Sequence, residues 1–354
     1  MTNPRLSVRD LEVTYTTNHD EVKAVDRVSF DVYNDEIFGI VGESGCGKST
    51  LASTILRLLD DNGEITGGEI RYGDQDLAAL SESDLAKQIR GREISMVFQD
   101  PNTSLDPVYT IGRQLIETIR QHLDVSKQEA RQRAIQSLAD VGIPSPEDRL
   151  DDYPHQFSGG MRQRVVIAIA LSCDPGLLIA DEPTTGLDVS IQAQILDLLE
   201  DINDNHDTSV VLITHDLGVV AEVCDRVGVM YAGNLVEVSP VDVVYDDPKH
   251  PYTEDLLRSI PETHEMKAEL TVIKGTPPDL REPPSGCRYH PRCTKVCSEA
   301  CETGDVPKVY HEGGSDVRCY LYDPAENPEY EDSTEVDDEQ AGGRLESPEG
   351  RDHP

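Results

Sequence analysis

In the run Gly42, Glu43, Ser44, Gly45, Cys46, Gly47, Lys48, Ser49 and Thr50, the first eight residues match the spacing G-x-x-x-x-G-K-[ST], the pattern of a loop that wraps a phosphate chain. Gly42, Gly45 and Gly47 let backbone N–H groups approach phosphate oxygens without Cβ clashes. Lys48 brings a point charge to the β- and γ-phosphates, and the Ser49 hydroxyl is a ligand for Mg²⁺. Glu43, Ser44, Cys46 and Thr50 complete the lining. Two carboxylates, Asp181 and Glu182, close the apolar run at 177–180. Asp181 is placed to hold Mg²⁺, directly or through water, and Glu182 to polarise a water in line with the γ-phosphate. His215, at the end of the apolar run 211–213, is positioned to reach the γ-phosphate and couple its loss to movement. Gln99, in the segment SMVFQDP, would bond both the metal and the lytic water. The chemistry these residue types share is Mg²⁺-assisted hydrolysis of a nucleoside triphosphate.

Such residues act together only if strands carry them to one edge. Residues 5–41 alternate apolar and polar in two stretches and then turn continuously apolar in IFGIV, which predicts antiparallel strands feeding a buried strand. The phosphate loop follows that strand, and LASTILRLL opens a helix behind it. Residues 85–150 are polar, helix-periodic and interrupted by Pro, as expected of a helical insertion. From VVIAIAL through GLLIADEP to SVVLITHD, helix and buried strand alternate, the signature of a parallel α/β sheet. The expected organisation is an α/β P-loop core over 1–237, with an antiparallel β subdomain and a helical subdomain at about 85–160. A Pro-rich, loop-rich extension follows over 238–322, and an acidic disordered tail over 323–354.

The chain has 354 residues, with 31 Lys and Arg against 68 Asp and Glu, a formal charge of −37. The tail carries 12 acidic and 2 basic residues, so the acidity extends over the whole chain. A basic stripe for phosphate backbones is missing, which argues against a nucleic-acid partner. With 9 Lys against 22 Arg, this is the surface of a halophilic protein kept soluble in high salt, and a haloarchaeal source is expected. The longest apolar stretch, 165–171, is far short of a membrane span. The N-terminus MTNPRLSVRD has no apolar signal region, so the expected compartment is cytoplasmic.

Between the phosphate loop and Asp181 lies Phe157-Ser158-Gly159-Gly160-Met161-Arg162-Gln163. This resembles the L-S-G-G-Q signature loop of ABC-type ATPases, with Phe157 and Met161 departing at the first and fifth places. The resemblance implies that two nucleotide-binding domains face head to tail and that Ser158, Gly159 and Gly160 hold the γ-phosphate of the opposing subunit's ATP. It likewise implies that Tyr15 stacks on adenine, Gln99 joins the core to the helical subdomain, Asp188 links the two sites and His215 is the switch histidine. QDPNTSLDPVYTIG, YPHQFSGGMRQRVVIA, HPYTEDLLRSIP and GCRYHPRC are similar to the ATP-binding subunits of dipeptide/oligopeptide ABC importers, a group that includes nickel and some sugar importers. The implied function is ATP hydrolysis driving solute uptake at the cytoplasmic face of the membrane. The implied partners are two transmembrane permease subunits, a second, related ATPase subunit and, indirectly, an extracellular solute-binding protein. The competing reading is a soluble ABC ATPase of nucleic-acid repair or translation, disfavoured by the negative charge and the single nucleotide site. A non-catalytic ATP-binding subunit is disfavoured because Lys48, Asp181, Glu182 and His215 are all present.

Cys46, Cys173 and Cys224 are scattered and read as small hydrophobes, whereas Cys287, Cys293, Cys297, Cys301 and Cys319 crowd together. Thiolates so dense in a segment with little core suggest metal ligands, because metal bonds replace missing burial. A [4Fe–4S] cluster, a structural Zn²⁺ and free thiols are the options. The five-residue gap between Cys287 and Cys293 exceeds the usual zinc spacing, and irregular spacing suits a cluster better. The importer resemblance also points to [4Fe–4S], on Cys287, Cys293, Cys301 and Cys319, with Cys297 able to replace Cys301.

Overall fold

The computed structural model describes residues 3–17, 20–259, 273–328 and 330. Its strands are β1 (Leu6–Thr16), β2 (Glu21–Val32), β3 (Ile37–Val41), β4 (Gly63–Tyr72), β5 (Gln75–Asp76), β6 (Ile94–Val97), β7 (Leu177–Asp181), β8 (Ser209–Thr214), β9 (Arg226–Tyr231), β10 (Asn234–Pro240), β11 (Tyr310–Glu312) and β12 (Ser315–Val317). They form two sheets. One is antiparallel, in the order β2-β1-β4-β5; the other runs β11-β12-β10-β9-β3-β8-β7-β6 and is parallel from β9 to β6.

The parallel strands are buried along their whole length in β3, β7 and β8, as a sheet covered on both faces requires. Leu6, Val8, Leu11 and Val13 alternate inward along β1 and share one core with Phe38, Ile40, Leu51 and Ile55. That core ties the antiparallel sheet to β3 and to the helix Lys48–Ile55.

The helical part sits on a second core. Helix Ile111–His122 is capped by Thr110, and helix Lys127–Asp140 by a reciprocal Ser126–Glu129 capping box. Ile111, Leu115 and Ile119 from the first, Ala130, Ala134 and Leu138 from the second, and Val165 from helix Gly159–Leu171 are fully buried together. Within the range 85–160, β6 pairs in parallel with β7, so that strand belongs to the core sheet and the helical part begins after it.

Past β10, the extension does not stand apart. The β11–β12 hairpin adds to the core sheet through Glu237 opposite Val317 and Val238 opposite Asp316. Helix Pro251–Arg258 begins at His250, whose Nδ1 accepts the Tyr252 N–H at 3.0 Å. Hydrogen-bonded turns continue beyond the expected tail boundary: Tyr310 Oη donates to Asp323 at 2.5 Å and Asn327 Nδ2 to the Leu321 carbonyl at 2.8 Å. The rest of the expected acidic tail, 331–354, and the Ile260-Pro261 end of HPYTEDLLRSIP lie outside the described residues.

Candidate nucleotide site

Strand order assembles the site. The phosphate loop leaves β3, His215 follows β8, Asp181 ends β7 with Glu182 after it, and Gln99 follows β6. Because β3, β8, β7 and β6 are successive neighbours in the sheet, these residues emerge in a row along the carboxyl edge, at the roughly 4.8 Å spacing of paired strands.

The loop's glycines answer to its surroundings. A Cβ on Gly42 would lie 2.1 Å from the Met230 carbonyl oxygen, and one on Gly47, where φ is +109°, would lie 2.3 Å from that of Ala24. Lys48 is buried, its Nζ donating to the carbonyls of Gly42 at 2.7 Å and Glu43 at 3.1 Å. Ser49 Oγ donates to Asp181 Oδ1 at 3.1 Å. Burial, with the Glu182 charge, pushes the Asp181 carboxyl above its ordinary value, against the opposing pull of the Ser49 hydroxyl and the Lys48 charge. Cys46 is buried, and burial pushes its thiol up.

Glu182 collects three neighbours. Gln99 Nε2 donates to it at 3.0 Å, Thr185 Oγ1 donates at 2.8 Å, and His215 Nδ1 lies 3.4 Å away. Its φ of +48° is rare for a residue with a side chain; its backbone is held there by an N–H bond of 2.9 Å to the Ile213 carbonyl. Thr185 was not among the residues singled out from the sequence, although it lies three places after Glu182.

One cavity is lined by Tyr15, Ser44, Gly45, Gly47, Lys48, Ser49, Thr50, Gln99 and Glu182, with Leu280 from the extension. Gly63 admits the Tyr15 ring, since a Cβ there would lie 2.7 Å from Tyr15 Cε1. Ser158, Gly159 and Gly160 do not line this cavity. Ser158 instead caps helix Gly159–Leu171, accepting the Met161 N–H at 3.3 Å, with Ser158 and Gly159 exposed. Phe157 is buried in the helical core and Met161 packs against it, so both departures from the signature pattern face the chain's own interior. Asp188 is exposed and caps helix Val189–His206 through the Ile191 N–H at 3.1 Å.

The five clustered cysteines are free thiols lining a second cavity, which His250 and His290 share. Cys297 and Cys301 lie Sγ to Sγ at 3.7 Å, and Cys301 and Cys319 are buried. His250 Nε2 is buried without a partner. Burial, with the neighbouring thiols, pushes Cys287 up to about 12. Among the described residues no three His, Cys, Asp or Glu side chains are arranged to hold a single metal ion. Neither the Zn²⁺ site nor the [4Fe–4S] site expected from the cysteine spacing is formed in this arrangement.

Fold and site together define an ABC transporter ATPase: a family model described as ABC transporter matches residues 25–185. A second, described as oligopeptide/dipeptide transporter, C-terminal region, matches residues 236–301. The chain is 50% identical over 322 residues to the dipeptide transport ATP-binding protein DppD of Bacillus subtilis, covering 90% of this chain and 95% of that one. It is 48% identical over 319 residues to the oligopeptide transport ATP-binding protein AppD of the same organism, covering 90% and 97%. A solved ATP-binding cassette, dimeric in a post-hydrolysis state with ADP and Pi, superposes with a TM-score of 0.60 at 28% identity, covering 67% of this chain and 98% of that one. The chain belongs to the ATP-binding subunits of dipeptide/oligopeptide ABC importers. It is an ATPase, the motor of such an importer, and no helix among its described residues is long and apolar enough to cross a membrane.

Proposed function

We propose that this subunit pairs with a second, related ATPase subunit, each ATP being held between the Lys48 loop of one and the Ser-Gly-Gly turn of the other. The observation that carries this reading is the division of the machinery: Gln99, Glu182 and Lys48 line one cavity, while Ser158 and Gly159 are exposed away from it. Within the cavity, Tyr15 stacks on adenine and the amides of 43–50 take the phosphates. Glu182 accepts the proton of the attacking water, while Gln99 and His215 orient it. Asp188 links the two sites across the pair. Ser49, Asp181 and Gln99 would hold Mg²⁺, which would neutralise charge on the β- and γ-phosphates; the Ser49 Oγ–Asp181 Oδ1 contact of 3.1 Å, which brings two oxygen donors together, fits that role.

Two transmembrane permeases at the cytoplasmic face of the membrane are the proposed load. A groove between core and helical part supports this, with Leu58, Met96 and Phe98 on one side and Thr118, Val166 and Ile169 on the other. Leu58 and Phe98 are exposed, as a docking surface requires. The solute is a peptide delivered by an extracellular binding protein. No nucleic acid takes part.

Cys287, Cys293, Cys301 and Cys319 would hold a [4Fe–4S] cluster, Cys297 being the alternative to Cys301. Five thiols around one cavity support this reading. Such a group supplies thiolate bonds that brace a segment with little core of its own. The acidic surface fits a halophilic, haloarchaeal setting.

Replacing Ser158 by Ala tests the pairing directly. Equilibrium nucleotide binding by the full-length subunit is expected to persist, and ATP-dependent association, read by size-exclusion chromatography with light scattering, to disappear. Association at the wild-type level would overturn the shared-site reading.

A further inference from the structure

GCRYHPRC and HPYTEDLL are outside the catalytic core, yet both reach the phosphate loop. Arg292 Nη1 donates to Glu43 Oε2 at 2.6 Å and Nη2 to Glu43 Oε1 at 3.1 Å, a fork-on-carboxylate pair spanning 249 residues. The Arg292 side chain is only 4% exposed. Its Nε donates to the Lys274 carbonyl at 2.9 Å, and Nη1 also reaches Tyr231 Oη at 3.3 Å. The guanidinium lies 5.8 Å from the centre of the Tyr231 ring and 5.9 Å from that of Tyr289. Tyr252 seizes the same loop residue by its backbone, its Oη accepting the Glu43 N–H at 3.1 Å. Tyr231, Tyr252 and Tyr289 pack on one another with ring centres 4.6 to 5.3 Å apart. The Glu43 carbonyl, in turn, receives Lys48 Nζ.

We infer that Arg292 is a positioning residue of the phosphate loop, acting through Glu43 to set how tightly the loop binds ATP. Two physical effects combine. A carboxylate in a loop that must accept a triphosphate repels it, and the buried guanidinium neutralises that charge at contact distance. The fork also fixes the Glu43 side chain while Tyr252 holds its N–H, and the carbonyl of the residue so anchored accepts Lys48 Nζ. The catalytic loop is therefore organised by a segment flanked by cysteines, since Arg292 directly precedes Cys293.

This inference rests on the loop being an ATP site, and the experiment separates the two. Binding of the fluorescent analogue mant-ATP with Mg²⁺ is titrated on full-length wild type, Arg292→Gln, Arg292→Lys, Glu43→Gln and the Arg292→Gln/Glu43→Gln double variant, with thermal melts alongside. Arg292→Gln is expected to weaken binding about tenfold, and Arg292→Lys, which keeps the charge and loses the fork, about threefold. Removing the Glu43 carboxylate in the Arg292→Gln background is expected to restore most of that loss, because the repelling charge is gone. In turnover assays the loss is expected in KM and not in kcat. If wild type binds and Arg292→Gln binds equally well, the inference falls while the ATP site stands. A double variant as weak as Arg292→Gln or weaker would also overturn it, showing that Arg292 merely holds the extension together. Should Arg292→Gln fail to fold, Arg292→Lys decides: unchanged affinity overturns the inference. A wild type that does not bind mant-ATP takes both down.

Discussion

Gln99 and Glu182 are joined by a hydrogen bond of 3.0 Å across 83 residues of chain. Gln99 follows β6 and leads directly into the helix Pro101–Ser104, whereas Glu182 follows β7. On the proposed mechanism, a shift of the helical part would reach the Glu182 carboxylate through this bond, without leaving neighbouring strands. On the proposed function, it is a route by which a docked permease would govern hydrolysis.

Glu182→Gln keeps the size and most of the hydrogen bonding of the side chain and removes its basicity. Phosphate release is expected to fall by about 10²–10⁴-fold, while ATP binding persists and the ATP-bound pair accumulates on size exclusion. Hydrolysis near the wild-type rate would take the role of base away from Glu182.

Gly42 and Gly45 separate two kinds of glycine requirement. Gly42→Ala drives a Cβ into the Met230 carbonyl, so a fall of stability by about 1–3 kcal/mol and loss of nucleotide binding are expected. Gly45→Ala meets nothing within 4 Å and suffers only from a φ of +79°; a smaller loss, of about 1 kcal/mol, is expected. Thermal melts with and without Mg-ATP distinguish the two, and equal effects would refute the steric assignment.

Glu200 sits among Asp197, Asp201, Asp204 and Glu222; partial burial, followed by these charges, pushes its carboxyl up. A raised folded-state value means that the ionised form is disfavoured, so stability falls as pH rises through it. Added KCl screens the repulsion, the Debye length shrinking from about 10 Å at 0.1 M to about 3 Å at 1 M. The melting temperature is expected to rise with KCl. Glu200→Lys is expected to raise it at low salt and much less at high salt. A melting temperature that falls as KCl is added would contradict the halophilic reading.

Purified without oxygen, the subunit is expected to be brown and to carry about four iron atoms. Cys319→Ser is expected to lose them and Cys297→Ser to retain them. A colourless preparation holding one zinc would exclude the cluster.

Much of the site was readable from local patterns, because the phosphate loop, the Asp181-Glu182 pair and His215 each end an unbroken apolar run. What the residues alone did not reveal is their neighbourhood, which is set by the strand order β3-β8-β7-β6. Strand β4 escaped notice because its only apolar anchors in GEITGGEIRY are Ile65 and Ile70, separated by two glycines, with the strand closing at Tyr72. The β11–β12 hairpin is three residues a side and mostly polar. The Arg292–Glu43 pair left no local trace: GCRYHPRC marked a subfamily, and nothing in its spacing announced a salt bridge to the catalytic loop.

The β11–β12 hairpin covers a flank of the main sheet that ends, without it, at β10. A chain cut after residue 240 would expose amides and carbonyls on a strand bearing Leu235, Val236 and Val238, a template for end-to-end association with other copies. Such a truncated chain is expected to self-associate, so the extension would serve as a cover for that edge as well as an attachment.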